Sequence, residues 1–169
     1  MLDGTMDLAA EHVFKAPLER VVAMYFDEEF ARERGLATGA ADCEAVVDGA
    51  PDGAFTVVIR RTMPTDGVQP DFKPFIGPSI SVRYTEAWLE PEGEGREATF
   101  AIDIVGVPAR AAGTVSLTRH GETTALSVRG TISTRVPFLA GLVTQAVVDS
   151  VSEALDRELA AADRWLART

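Results

Sequence analysis

Between Thr5 and Phe14, apolar or small side chains recur at alternate positions, Met6, Leu8, Ala10 and Phe14, the period of a strand with one buried face. His12 falls on that face. The period changes after Ala16-Pro17, because proline suits the first turn of a helix, where its missing amide hydrogen would have had no partner. Leu18, Val21, Val22, Tyr25 and Phe26 then form one helical stripe. Asp27 caps or breaks that helix, and Glu28 to Leu36 reads as a second short one, with Phe30 and Leu36 as core contacts and Gly35 weakening the last turn. Neither is long enough to span a domain, so both are expected to plug one open end of a sheet.

Six further segments are rich in Val, Ile, Thr and aromatic residues: Cys43 to Asp48, Ala54 to Thr62, Ser79 to Glu90, Glu97 to Val105, Ala109 to Arg119 and Thr124 to Thr134. Turn signals such as Asp52-Gly53, Glu92-Gly93-Glu94-Gly95, Gly106-Val107-Pro108 and His120-Gly121 separate most of them. Connections this short predict an antiparallel meander, since parallel pairing needs crossovers of about a dozen residues. The exception is Met63 to Pro78, where Pro64, Pro70, Pro74 and Pro78 break regular structure. Phe72, Phe75 and Ile76 suggest that this loop folds back on the body, near the mouth of a cavity.

After Pro137 comes the one long helical pattern. Leu139, Leu142, Val143, Ala146, Val147, Val151, Ala154, Leu155, Leu159, Ala162, Trp165 and Leu166 trace its apolar stripe. From Pro137 to Leu166 it would run about 45 Å, enough to cross a sheet whose nine-residue strands measure ~30 Å. Its nearly uncharged first half, through Val148, is expected to be the more deeply buried. Seven strands with one greasy face and one long helix with a matching stripe are best buried against each other. The sheet must curve to be covered by a single helix, with Gly113 and Gly130 as bending points, and curvature of this kind leaves a cavity.

Composition narrows the function. The chain has 169 residues, a length at which one domain, residues 1–169, is expected. Twenty-six acidic against 16 basic residues give a formal charge of -10, which argues against nucleic acid and anionic membrane surfaces as partners. Arg60-Arg61, the clearest basic pair, reads as a strand end without aromatic neighbours to stack bases. The single cysteine, Cys43, excludes an intrachain disulfide and reads as a small buried hydrophobe. No membrane insertion is expected, because no uncharged run approaches the ~20 residues needed to span a bilayer. With no signal-peptide pattern at the N-terminus, a cytoplasmic location is expected.

The order of strand, two short helices, six strands and long C-terminal helix resembles the START-like superfamily, which includes the polyketide cyclases and has the helix-grip fold. The segment His12-Val13-Phe14-Lys15-Ala16-Pro17, followed by Leu18-Glu19-Arg20-Val21, is similar to the strand-to-helix junction of that superfamily. More narrowly, Phe75-Ile76-Gly77 followed by Ser81-Val82-Arg83-Tyr84-Thr85-Glu86-Ala87-Trp88 resembles a START-like family of actinobacterial proteins of unknown function, DUF2505. The resemblance implies an α+β helix-grip fold with a curved seven-stranded antiparallel sheet, and it supplies no catalytic residues.

Chemistry has few places to sit. If Val82, Tyr84 and Trp88 face inward, period two turns Glu86 inward too, and a carboxylate there must find donors or give up its charge. Glu86 is then a ligand contact or general base; otherwise it pairs with a cation, or the opposite face of the strand points in. His12 is the second acid-base candidate, with the satisfaction of a buried group as its structural use. Tyr84, Glu86, Trp88, Phe100, Phe75 and Leu142 are the expected ligand-lining residues. Asp103 and Arg129 should face out, and His120 sits in a turn. With two histidines in the chain and no HExxH, Walker, dinucleotide or GxSxG motif, neither a metal nor a cofactor is expected. Three functions remain open: binding a small hydrophobic or lipid-like molecule in the cavity; a cyclase- or aromatase-like enzyme in which Glu86, His12 or Tyr84 positions and deprotonates a substrate; and a non-enzymatic interaction module.

Overall fold

A computed structural model describes residues 4–65, 78–106, 108–135 and 140–168, and the side chains of all of these except residues 140–144. Strand β1 (Gly4–Phe14) leads into helices α1 (Leu18–Phe26) and α2 (Glu28–Ala37). Six strands follow, β2 (Asp42–Gly49), β3 (Phe55–Pro64), β4 (Ser79–Trp88), β5 (Gly95–Val105), β6 (Ala109–His120) and β7 (Thr123–Thr134), and then helix α3 (Ala140–Leu166). The strands form one antiparallel sheet in the order β1-β7-β6-β5-β4-β3-β2, an α+β helix-grip arrangement. From β2 to β7 each strand pairs with its chain neighbour, and β1 closes onto the last strand.

Asp27 is the hinge between the two short helices. It ends α1 and caps α2, its Oδ1 accepting from the amides of Glu29 at 2.9 Å and Phe30 at 3.3 Å. On α2 the buried stripe is Phe30, Ala31, Arg34 and Gly35. Leu36, expected in the core, is turned off that stripe and is 42% exposed. Gly35 instead serves close packing: a Cβ there would lie 2.4 Å from Cys43 Sγ, so α2 rests directly on β2.

Strand β3 continues through Met63 and Pro64, two residues into the expected loop. Pairing with β2 stops at Thr62, so the last two residues pair with β4 alone, and a proline without an amide hydrogen is tolerated there. Phe72, Phe75 and Ile76 lie outside the described residues.

Two glycines expected as bending points meet in the sheet. Gly113 of β6 pairs with Gly130 of β7. A Cβ on Gly113 would lie 2.1 Å from the Arg129 carbonyl oxygen; one on Gly130 would lie 2.5 Å from that of Ala112 and 3.0 Å from the Phe100 ring. The backbones approach so closely that no side chain fits, and Phe100 covers the gap.

Helix α3 packs against the sheet and the two short helices, and the expectation that residues 137–148 are its more deeply buried part falls largely on side chains outside the described ones. Among the side chains described, the buried ones are Leu159, Ala161, Ala162 and Leu166, all in the C-terminal half, whereas Gln145 is exposed and Ala146 to Val148 are half-buried. Tertiary contact accounts for that C-terminal burial: α1 and α2 both pack on α3, and Trp165 sits edge-on to Phe30 with ring centroids 5.4 Å apart. No described helix is long and apolar enough to cross a membrane.

Candidate functional site

Inward-facing residues of β3, β4 and β5 lie in register across the sheet. Val57, Glu86 and Phe100 make one row; Ile59, Tyr84 and Ile102 the next; Arg61, Val82 and Ile104 the third. Alternation along β4 therefore does turn Glu86 inward, and it is 1% exposed.

The Glu86 carboxylate accepts four hydrogen bonds. Arg34 forks onto it, Nη1 to Oε2 at 3.1 Å and Nη2 to Oε1 at 3.0 Å. Trp88 Nε1 donates to Oε1 at 2.6 Å, and the Tyr84 hydroxyl donates to Oε2. Two donors per oxygen fill the lone-pair sites of a carboxylate. The Arg34 guanidinium lies among three rings, 5.1 Å from the Tyr25 centroid, 5.3 Å from Tyr84 and 5.8 Å from Phe30. Burial works against its charge, and the Glu86 carboxylate reverses that, holding Arg34 above the usual arginine range. Burial, reinforced by Glu86, also pushes the Tyr84 phenol well above its ordinary value, so it stays a donor.

A second, looser pair joins the sheet to α3. Arg61, from β3, reaches Glu158 of α3 with Nη1 to Oε1 at 3.8 Å, beyond hydrogen-bond range. Among the described residues its Nε has no partner, and neither has Arg34 Nε. Burial raises the Glu158 carboxyl above the usual carboxylate range; Arg34 and Arg61 offset part of this, and Glu86 adds to it.

Between these pairs lies a cavity of about 50 Å³. Its polar pole is Arg34, Arg61, Tyr84, Glu86 and Glu158, and the rest of its wall is apolar, from Leu8, Phe100, Ile102 and Leu126 on the sheet to Val151 and Leu155 on α3. Tyr84 and Phe100 line it as a stacked pair, centroids 6.3 Å apart.

The structure thus brings Tyr84, Glu86 and Phe100 together on the cavity and leaves the other sequence candidates elsewhere. Trp88 is behind Glu86, packed on Phe55 and Tyr25 and 1% exposed. His12 is on the inner face of β1 but away from the cavity: its Nε2 is 3.0 Å from Asp163 Oδ1 on α3, and its ring meets the edge of Phe14. Phe75 lies outside the described residues; Leu142 lies on α3, with its side chain outside them. Asp103 and Arg129 are exposed on the outer face, with Arg110 and Glu11 as their partners.

Sequence reasoning missed Arg34, Arg61 and Glu158. Each had a signal, a single charge standing on an apolar stripe: Phe30, Ala31, Arg34 on α2; Val57, Ile59, Arg61 on β3; Ala154, Leu155, Glu158, Leu159 on α3. Arg61 is no strand-end surface charge, since pairing carries β3 past it and alternation buries it.

A family described as a protein of unknown function, DUF2505, matches residues 9–166. The chain belongs to this family. No curated protein matches it. Among solved structures it is similar to TTHA0849 from Thermus thermophilus, with 20% identity, TM-score 0.64, and 97% of this chain and 100% of that one covered. It is also similar to the ZhuI aromatase/cyclase from Streptomyces sp. R1128, with 13% identity, TM-score 0.56, and 95% and 90% covered. A truncated norcoclaurine synthase from Thalictrum flavum matches with 11% identity, TM-score 0.59, and 100% and 98% covered. At these identities the likeness shows the helix-grip fold of this DUF2505 member and no activity.

Proposed function

We propose that the protein binds a small, largely hydrophobic molecule between the sheet and α3, oriented by the polar pole of the cavity. The observation that carries this reading is one largely apolar cavity with a few polar side chains converging at one pole, the usual build of a small-molecule site. The solved structures of similar fold include an aromatase/cyclase and a norcoclaurine synthase, whose names speak of chemistry on small molecules, and this agrees with the reading.

Acid-base catalysis by Glu86 has little support. Its lone pairs are filled by Arg34, Tyr84 and Trp88, and a general base needs a free one aimed at the substrate. The quartet works as an anchor that fixes Tyr84 and Arg34 against the cavity.

The volume sets a condition on binding. About 50 Å³ is room for roughly three waters at ~15 Å³ each. A benzene-sized guest occupies a void of ~150 Å³. Entry therefore requires a shift of α3 or of the Tyr84–Phe100 stack, and on α3 the half-buried Val147, Val148 and Val151 are less enclosed by packing than Leu159, Ala162 and Leu166.

Native mass spectrometry of protein purified without detergent tests the proposal. A stoichiometric hydrophobic compound retained by the wild type, and lost in Ala154→Phe, which fills the cavity from α3, is the expected result. Retention of the same compound by Ala154→Phe, or failure of the wild type to hold any apolar compound from a screen, would overturn it.

A further inference from the structure

Arg61 is a nearly buried cation, 8% exposed at its side chain, whose ion pair with Glu158 is too long to be a hydrogen bond and whose Nε has no partner among the described residues. A guanidinium offers five donors in a planar fork matched to a carboxylate. The fork of Arg34 is closed on Glu86. That of Arg61 is closed on no described carboxylate, since the nearest oxygen of Glu158 stands 3.8 Å away.

We infer that Arg61 and Glu158 form an exchangeable carboxylate subsite, in which the anionic head of an apolar monocarboxylate takes the place of Glu158 at Arg61 while Glu158 takes up a proton from solvent. The inference rests on the proposed ligand-binding reading and names the ligand class.

Charge balance supports the monoanion. The charges facing Glu158 are Arg34 from α2, Arg61 from β3 and Glu86 from β4, with the Tyr25 and Tyr84 phenols of α1 and β4 beside them. Arg34 and Arg61 against Glu86 and Glu158 sum to zero. A ligand carboxylate arriving as Glu158 becomes neutral keeps that sum at zero, whereas a dianion such as a phosphate monoester would leave a surplus negative charge in a site walled by hydrocarbon. Burial already favours the neutral form of Glu158, so giving up its partner is a small step for it, and a protonated carboxyl can still donate a hydrogen bond. Position fits as well. Arg61 lies in the row of Val82 and Ile104, next to that of Met63 and Ile80, so a head group at Arg61 has apolar wall beyond it on the sheet and Val151 and Leu155 opposite on α3.

Calorimetric titration of the full chain with octanoate and with 1-octanol, in two buffers of different ionisation enthalpy near pH 7, tests the inference. Octanoate is expected to bind at least tenfold more tightly than octanol and with uptake of up to one proton. Arg61→Met, with folding checked by circular dichroism, should abolish the preference for octanoate over octanol. Should Arg61→Met not fold, Glu158→Gln carries the test: octanoate still preferred over octanol, with no proton uptake. Equal affinity for the two ligands, or proton uptake surviving in Glu158→Gln, would overturn the subsite while leaving the hydrophobic site intact. No binding of either ligand would overturn both.

Discussion

Removing one partner of the Arg34–Glu86 pair should be the most damaging single change in the polar core. Arg34→Met keeps most of the side chain's volume and deletes the charge, leaving Glu86, 1% exposed, with two neutral donors, Tyr84 and Trp88. Breaking a buried pair from one side costs about 3–5 kcal/mol, because a charge remains in low dielectric without compensation. For a domain of this size about 2–4 °C accompanies each kcal/mol, so the melting temperature should fall by roughly 6–20 °C. Adding Glu86→Gln removes the stranded charge and still offers an acceptor to one of the two donors. The double variant should therefore be less destabilised than the sum of the singles by about 1–3 kcal/mol. Urea unfolding followed by the fluorescence of Trp88 and Trp165 measures all four corners of the cycle. An Arg34→Met variant within about 1 kcal/mol of wild type, or single effects that simply add, would refute the reasoning that this pair is held together by mutual compensation in a dry core.

Other outcomes follow from the same structure. The Glu158 carboxyl is raised in the folded chain, so it contributes stability that is complete below its unfolded value of about 4.3 and is lost as pH rises through the folded value. Glu158→Gln should thus gain stability relative to wild type as pH rises from about 4.3 through the folded value and level off above it, in urea titrations across roughly pH 4 to 8; a difference that is constant over that whole range or shrinks with pH would contradict the assignment. Gly113→Ala should destabilise by about 1–3 kcal/mol, because its methyl group meets the Arg129 carbonyl oxygen, and wild-type stability in thermal unfolding would mean the β6–β7 contact is looser than described. Asp27→Ala should cost about 1 kcal/mol by leaving two amides of the first turn of α2 without their acceptor, and Asp27→Asn should restore most of it in the same assay.

Much of the architecture was legible because strand and helix write different periods into a sequence. Alternation found all seven strands and left two possible inward faces for β4, between which the folded sheet decides, and short turns between the strands left a meander as the economical topology. The paired Gly113 and Gly130 were visible as places without side chains, although only the folded sheet shows that they face one another. What the sequence hides is which parts of an apolar stripe are covered. On α3 the buried side chains among those described lie in the C-terminal half, where α1 and α2 pack, and that packing is not encoded in the helix itself. Leu36 misleads for the same reason: its hydrophobicity says nothing of a rotation that gives its place to Arg34 and Gly35.

The site was half legible. Glu86, Tyr84 and Phe100 came from alternation alone, but their partners sit on other elements, and pairing between elements has no local signature. Arg34, Arg61 and Glu158 each break an apolar stripe by one charge, a pattern open to reading as tolerance at an edge. Two such breaks of opposite sign on separate elements, Arg61 and Glu158, become informative only when the fold brings them together across a cavity.

Two-dimensional amide and methyl NMR of isotope-labelled protein titrated with octanoate tests most directly whether the space under α3 is a binding site. Saturable shifts are expected at Leu8, Ile102, Leu126, Val151 and Leu155, which line the cavity, with Val13, Val46 and Val105 on the exposed surface unmoved. Shifts confined to those surface valines, with the cavity methyls unchanged at saturation, would contradict that expectation.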